Sequence, residues 1–106
     1  MAFSKNEAFT DTDQQLALWA KALSHPARIA ILRELAQRNA CICGELVANL
    51  PLSQATVSQH LKVLKEAGLI DGEIDGPRIC YCIDWPALKE MENALILLFN
   101  QIKPCC

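Results

Sequence analysis

The chain has 106 residues, with 52% apolar residues, 21% charged residues and a formal net charge of −2. This length and composition predict one compact globular domain and argue against a disordered chain. No apolar run reaches the ~18 residues that a membrane span requires, and the start lacks the apolar core of a secretory signal. We therefore expect a cytoplasmic protein without a membrane partner. The negative net charge excludes a broad basic surface, so any binding of nucleic acid must come from a local arrangement of charge.

The first part of the chain predicts a polar segment followed by a helix. We expect residues 1–12 to be a flexible N-terminal segment and the folded domain to cover 13–106. Asp13 is placed to cap a helix over roughly 14–23, whose apolar stripe consists of Leu16, Trp19 and Leu23.

A second helix is expected from Ala27 to about Arg38. Pro26 suits its first turn, with Ser24 or His25 at the cap. The apolar side chains that this helix is expected to turn towards a core are Ile29, Ile31, Leu32 and Leu35.

The next two predicted helices form a helix–turn–helix. A short third helix is expected from residue 44 or 45 to residue 50, where Pro51 helps to end it. The following helix begins after only two or three residues, which is the tight connection typical of this motif. Ser53 is placed to cap this fourth helix, and Gly68 fits its end.

The two faces of the fourth helix differ in chemistry. The apolar stripe, at steps of four and three residues, consists of Val57, Leu61 and Leu64. The opposite, polar face presents Gln54, Ala55, Ser58, Gln59 and Lys62. Hydroxyls, amides and a lysine are groups that hydrogen-bond base edges and phosphates, whereas an ordinary amphipathic surface helix usually carries more Glu and Lys. The pattern therefore favours a DNA recognition helix over an ordinary surface helix.

The stretch after Gly68 predicts a β-hairpin. Two short β-prone runs, Leu69 to Ile74 and Ile79 to Ile83, flank the turn sequence Asp75-Gly76-Pro77-Arg78. The hairpin is net acidic, because Asp71, Glu73 and Asp75 surround Arg78.

Pro86 opens a last helix that is expected to run to about Ile102. Its apolar series, at heptad-like spacing, is Leu88, Met91, Leu95, Leu98 and Ile102. Ala94 to Phe99 is apolar on nearly every side, which is too much for a helix with one buried face. We expect the first and last helices to bury this excess against a second copy of the chain.

Together these elements predict a fold that is mainly α with a small β-hairpin: a winged helix–turn–helix that dimerises through its terminal helices. With that order of elements, the chain resembles the ArsR family of small bacterial repressors. The matching segments are Ala22 to Leu32, Leu52 to Ile70, and Gly76-Pro77-Arg78. The resemblance implies a homodimer that binds a roughly palindromic operator in double-stranded DNA and leaves it when an inducer binds. It implies a transcriptional repressor and not an enzyme.

The predicted DNA-binding residues lie on the fourth helix and the wing. Lys62 and Arg78 suit phosphate contacts, whereas base or phosphate contacts are expected from the capping and polar positions Ser53, Gln54, Thr56, Ser58, Gln59 and His60. His60 lies near the edge of the apolar stripe, so a packed or capping histidine is an equal alternative. Arg28 is most simply a solvated helix charge, although its position near a helix start favours an approach to phosphate.

The six cysteines fall in three close pairs. In a reducing compartment, clustered thiols more often bind soft metals or sense oxidants than staple loops. The pairs are Cys41 with Cys43, Cys80 with Cys82, and Cys105 with Cys106.

In winged helices the segment before the third helix often pairs with the second wing strand. Strand alternation then places Cys41, Cys43, Cys80 and Cys82 on one outer face, if Ile42 and Tyr81 face the core. Cross-strand neighbours have Cβ atoms ~4.5–5.5 Å apart, which suits a shared metalloid or a disulfide. Arsenic-sensing ArsR proteins carry a Cys-x-Cys at the start of the helix that precedes the recognition helix, and Cys41-Ile42-Cys43 resembles it. Cys105 and Cys106 loosely resemble the arsenite-binding cysteines near the carboxy terminus of other members.

These observations leave several functions open. The resemblance favours an inducer such as As(III) or another thiophilic metal ion, with no cofactor required for folding. The same cysteines are compatible with a redox or reactive-sulfur switch, or with small apolar residues in a constitutive regulator. The alternatives from other classes are a zinc-stapled protein-interaction module, and a thiol enzyme for which Cys43 is the only candidate nucleophile.

Overall fold

The computed structural model describes residues 8–38, 50–75, 78–102 and 104, with the backbone alone at 73–75 and 78–79. These residues form four helices and one two-stranded antiparallel sheet, in the order helix, helix, helix, hairpin, helix. The order confirms the predicted mainly α, winged helix–turn–helix fold. The predicted short helix at 44–50 and the hairpin turn at 76–77 fall largely or wholly outside the described residues.

The first helix, α1 (Asp11–Ala22), begins earlier than the predicted residue 14. The prediction chose the wrong cap: Thr10, in extended conformation, accepts a hydrogen bond from the Asp13 backbone N–H at 3.1 Å through its Oγ1. Asp13 is therefore a residue of the first turn, where its negative charge suits the helix dipole. Trp19 and Ala22 are buried on the face that meets the core.

The second helix, α2 (Pro26–Arg38), is capped by His25, one of the two residues predicted for this role. Its Nδ1 accepts the Ala27 backbone N–H at 3.0 Å. Ile31 and Leu35 are buried as expected, but Ile29 is 41% exposed, so its predicted place in the core is wrong. Ile29 lies two positions before Ile31, and at about 100° per residue this places the two side chains roughly 200° apart, on nearly opposite sides of the helix.

The recognition helix (Gln54–Glu66) has the limits that the sequence predicts. The Ser53 Oγ accepts the Thr56 backbone N–H at 3.2 Å, and the helix ends where Gly68 adopts a φ of 80°. The Gly68 N–H then bonds to the Lys65 carbonyl, and the Leu69 N–H to the Leu64 carbonyl. This is a Schellman motif, in which glycine is favoured because the left-handed conformation crowds any Cβ. It directs the chain straight from the helix into the wing.

The wing consists of β1 (Ile70–Asp75) and β2 (Arg78–Ile83), paired from Ile70 opposite Ile83 to Asp75 opposite Arg78. Alternation along β2 divides its side chains as predicted. Tyr81 and Ile83 pack on the core, whereas Cys80 and Cys82 belong to the other face.

The last helix (Trp85–Gln101) begins at Asp84, whose Oδ1 accepts the Ala87 backbone N–H at 3.0 Å. The Asp84 N–H in turn bonds to the Leu69 carbonyl at 3.0 Å, which ties this helix to the base of the wing. The helix contacts α1, with Met91 buried against the core.

One core joins all of these elements. The recognition helix contacts α2 on one side and β1 on the other. Truncating Leu64 to alanine is expected to cost about 2–5 kcal/mol of stability, because so large a buried side chain leaves a cavity. The largest fully buried side chains are Ile31, Leu35, Leu64, Leu69 and Ile70.

Candidate nucleic-acid interface

The recognition helix is fixed on the core by its predicted apolar stripe. Val57, Leu61 and Leu64 are buried, and they belong to the same cluster as Ile31 and Leu35 of α2. This packing matters for DNA binding, because a small rotation of the helix would move every side chain on its outer face.

The outer face is polar and open to solvent. Five residues are exposed there at the positions that the sequence pattern predicts: Gln54, Ala55, Ser58, Gln59 and Lys62. The amide groups of Gln54 and Gln59 offer both donors and acceptors, and the Ser58 hydroxyl can do either. A small Ala55 leaves room for a close approach, so the arrangement suits the edges of bases in a major groove.

Two predicted contact residues are engaged in the helix cap. The Ser53 Oγ donates to the Thr56 Oγ1 at 3.0 Å while it accepts the Thr56 backbone N–H. The Thr56 side chain is half-buried. Both hydroxyls remain near the amino end of the helix, where partial positive charge favours a phosphate.

His60 differs from its neighbours, because it is only 9% exposed. Its Nδ1 lies 3.1 Å from Nη1 of Arg28, and its ring centroid lies 4.4 Å from that of His25. The geometry favours the packed alternative for His60 over direct contact with DNA. Burial, then the neighbouring His25, then Arg28 lower the pKa of His60 below its ordinary value of 6.5.

The sequence did not predict the contacts that Arg28 makes in this site. Its guanidinium is half-buried and bonds to both α1 and His60, whereas we expected a solvated charge. One local signal was available, since Ser24 stands four residues before Arg28 and accepts a hydrogen bond from it at 3.1 Å. The contact with His60 spans 32 positions and has no local signal.

The wing supplies a smaller part of the interface within the described residues. The backbone of Arg78 pairs with Asp75 at the outer end of the hairpin. The described residues do not include its side chain, and its phosphate contact stays a prediction.

Two of the cysteines, Cys80 and Cys82, lie on β2 of the wing. Cys80 faces away from the core but is only 4% exposed, and Cys82 is half-buried. Both are disulfide-bonded. The other four cysteines, Cys41, Cys43, Cys105 and Cys106, lie outside the described residues.

The described residues contain neither a cluster of metal-binding side chains nor a membrane-spanning helix. Within these ranges, no group of three or more histidine, cysteine, aspartate or glutamate side chains is arranged to hold a metal ion. None of the helices described combines the length and the apolar character that crossing a bilayer requires.

Comparisons with known proteins agree with this geometry. A family model of a helix–turn–helix domain matches residues 23–73. The HTH-type transcriptional regulator YgaV of Escherichia coli is 37% identical over 89 residues, which cover 84% of this chain and 86% of that protein. The biofilm growth-associated repressor of Agrobacterium fabrum is 36% identical over 85 residues, which cover 80% and 72% of the two chains.

A solved structure extends the likeness to the whole fold. The ArsR-like transcriptional regulator from Rhodococcus sp. RHA1 superposes with a TM-score of 0.75 at 28% identity, over 87% of this chain and 86% of that one. These proteins are regulators, and their similarity removes the thiol-enzyme alternative. The chain belongs to the ArsR family of winged helix–turn–helix transcriptional regulators.

Proposed function

We propose that this chain is a sequence-specific repressor that binds operator DNA as a homodimer and is released when a thiophilic ligand such as arsenite engages its cysteines. The observation that carries the DNA-binding part is the polar row of the recognition helix, which packs against the core. This row consists of the exposed residues Gln54, Ala55, Ser58, Gln59 and Lys62. The name of the Agrobacterium relative, a repressor, supports the direction of regulation.

A homodimer would present two copies of the polar row to the DNA. Large apolar side chains are exposed on the last helix, including Ile96, Leu97 and Phe99, and Leu18 is exposed on α1. Burying them against a second copy would remove apolar surface from water and create a two-fold axis. Two recognition helices related by that axis would enter successive major grooves about 34–36 Å apart.

Release by a ligand requires a connection from the cysteines to the recognition helix. β2 carries Cys80 and Cys82 and pairs with β1, which follows the recognition helix after Gly68 and the buried Leu69. A ligand that pulls on β2 would therefore act on the helix through a short, packed path. Such a ligand must bind the DNA-free form better than the DNA-bound form, and typical coupling is ~1–3 kcal/mol.

Trivalent arsenic fits the donor chemistry, since soft thiolates select soft metals and metalloids. The predicted ligands are Cys41 and Cys43 with Cys80 and Cys82, and Cys105 and Cys106 are the additional thiols. The motif Cys41-Ile42-Cys43, which resembles that of arsenic-sensing members, supports this choice.

A second candidate is release by oxidation, which the disulfide bonds of Cys80 and Cys82 favour. Forming a disulfide removes two protons and two electrons from a pair of thiols, so an oxidant must accept the electrons. The reduced protein would then bind the operator, and the disulfide form would have an altered wing.

One titration tests the proposal and separates the two inducers. Fluorescence anisotropy would follow the reduced protein on labelled DNA from upstream of its own gene, first with arsenite and then with the thiol oxidant diamide. Release at near-stoichiometric arsenite supports a metalloid sensor, and release by diamide alone supports the redox switch. Tight binding that ignores both would leave a constitutive repressor, and the absence of specific binding at low salt would contradict the DNA-binding function.

A further inference from the structure

The side chain of Arg28 joins three parts of the fold. Its Nε donates to the Ala22 carbonyl at 2.8 Å, and its Nη2 donates to the Lys21 carbonyl at 3.2 Å and to the Ser24 Oγ at 3.1 Å. The carbonyls in the last turn of a helix lack intrahelical partners and favour a cation. The remaining nitrogen, Nη1, lies 3.1 Å from Nδ1 of His60 in the recognition helix.

This contact sets the protonation state of His60. A guanidinium has donors and no acceptor, so Nδ1 of His60 must be the unprotonated acceptor, and the neutral ring carries its proton on Nε2. Protonating Nδ1 would turn the hydrogen bond into two opposed N–H groups on two cations. The bond from Arg28 to the recognition helix therefore exists only while His60 is neutral.

Within the described residues, the groups around His60 do not stabilise its protonated form. The ionisable groups that face it are His25, from the turn between α1 and α2, and Arg28 from α2; α1 contributes backbone carbonyls that engage Arg28. Burial and both neighbours lower the pKa of His60. Because the native pKa lies below that of an unfolded chain, the stabilisation by neutral His60 is complete above pH 6.5 and is lost as pH falls through the lower native value.

We propose that Arg28 is a positioning residue for DNA binding, which fixes the recognition helix through neutral His60 and so makes operator affinity fall on acidification. The inference rests on the proposed DNA-binding function. In the free protein, a protonated His60 can move away from Arg28 together with its part of the helix. In the complex, Gln59 and Ser58 hold that helix in the groove, so the proton would stay beside the guanidinium. DNA binding then expels the proton, and acid opposes binding by linkage.

The expected direction of the pH effect on operator affinity distinguishes this coupling from general electrostatics. Acidification ordinarily strengthens DNA binding, because histidines and carboxylates gain positive charge near phosphates. A loss of affinity between pH 7.5 and pH 5.5 therefore cannot come from general electrostatics. If the pKa of His60 falls by one unit on binding, the affinity loss approaches about tenfold.

The test measures the affinity of the reduced full-length protein for a labelled operator duplex selected from random sequences, at constant ionic strength. The wild type is expected to lose about threefold to tenfold in affinity from pH 7.5 to pH 5.5. His60→Asn keeps an acceptor near Nδ1 and cannot be protonated, so it should bind with little pH dependence. In His25→Asn an oxygen can still accept the Ala27 N–H, but a neighbour that lowers the pKa of His60 is lost, so the acid loss should persist and begin at a higher pH.

A second variant separates positioning from a phosphate contact. Arg28→Gln should weaken operator binding at pH 7.5, flatten the pH profile, and leave the slope of log affinity against log salt unchanged. A direct phosphate contact would instead lower that slope by about 0.9. A lowered slope, an acid loss in His60→Asn as steep as in the wild type, or a wild-type affinity that stays constant or rises in acid would overturn the inference.

A measurement without DNA keeps the inference distinct from the function on which it rests. In nuclear magnetic resonance titrations, the backbone amide signals of Ser58 and Gln59 should follow the titration of the His60 ring, and should stay fixed in His60→Asn. Amides that ignore the His60 titration would refute the coupling even if specific DNA binding stands. Failure to select any duplex at pH 7.5 would refute the DNA-binding function alone.

Discussion

The recognition helix and the last helix are both amphipathic by sequence, yet their exposed sides have opposite chemistry. The recognition helix buries Val57, His60, Leu61 and Leu64 and exposes small polar groups and lysines. The last helix buries Met91 and leaves Leu97 and Phe99 57% and 65% exposed. The side chains that a helix leaves exposed therefore indicate which kind of molecule it binds. A polar row suits base edges and phosphates, whereas clustered apolar side chains suit a protein surface.

Charging the apolar side of the last helix is the change with the largest expected effect. Leu97→Glu combined with Phe99→Glu should prevent dimerisation and weaken operator binding by about 100-fold or more, because two linked half-site contacts become one. Analytical ultracentrifugation gives the oligomeric state, and anisotropy gives the affinity. Gln37→Glu, at an exposed site on α2, is the control and should change neither. A double variant that stays dimeric would show that the apolar side of the last helix has another partner.

The polar row is tested at its centre by Gln59→Ala. Losing a good contact to a base edge should cost about 1–3 kcal/mol, or about 5–150-fold in operator affinity, with the dimer intact and binding to unrelated duplexes nearly unchanged. Glu66→Ala, exposed at the end of the same helix, is the matched control. An unchanged operator affinity would remove Gln59 from the interface.

The ends of the helices could be predicted from the sequence only where the local chemistry is unambiguous. Both ends of the recognition helix follow from local chemistry, since Ser53 caps its start and Gly68 alone supplies the turn at its end. The sequence does not single out the cap at Thr10, because residues 10–13 are all threonine or aspartate, which can cap a helix, and periodicity does not choose between them. The bond from Arg28 to His60 was out of reach because it depends on how α2 packs on the recognition helix.

A similar limit applies to the wing. Strand alternation correctly put Tyr81 with the core and Cys80 on the other face, since a period of two needs no knowledge of the fold. It predicted an outer face, whereas Cys80 is buried, because alternation gives the direction of a side chain and not what covers it.

The cysteines should affect neither the recognition helix nor the last helix until a ligand binds to them. In the wild type, arsenite should weaken operator binding by about 5–150-fold. Cys41→Ser with Cys43→Ser should bind the operator normally and lose this response. Cys105→Ser with Cys106→Ser removes only the additional thiols, so it should weaken the response less than the first pair does. Full release in the first double variant would reject the wing-strand sensor.

The smallest expected effect is that of Lys62→Gln on the polar row. A phosphate contact contributes equally to every sequence, so operator and unrelated duplexes should both lose a few-fold in affinity. The slope of log affinity against log salt should fall by about one. If the loss were confined to the operator, Lys62 would instead be a residue that reads bases.

The most direct test of DNA reading by the recognition helix is a paired affinity measurement. Reduced wild-type protein would be titrated at physiological salt into its selected operator and into a duplex of equal length and composition with a scrambled sequence. A specific repressor is expected to prefer its operator by about 1,000-fold or more, and Gln59→Ala should narrow that preference. Equal affinity for the two duplexes would contradict sequence-specific recognition by this helix.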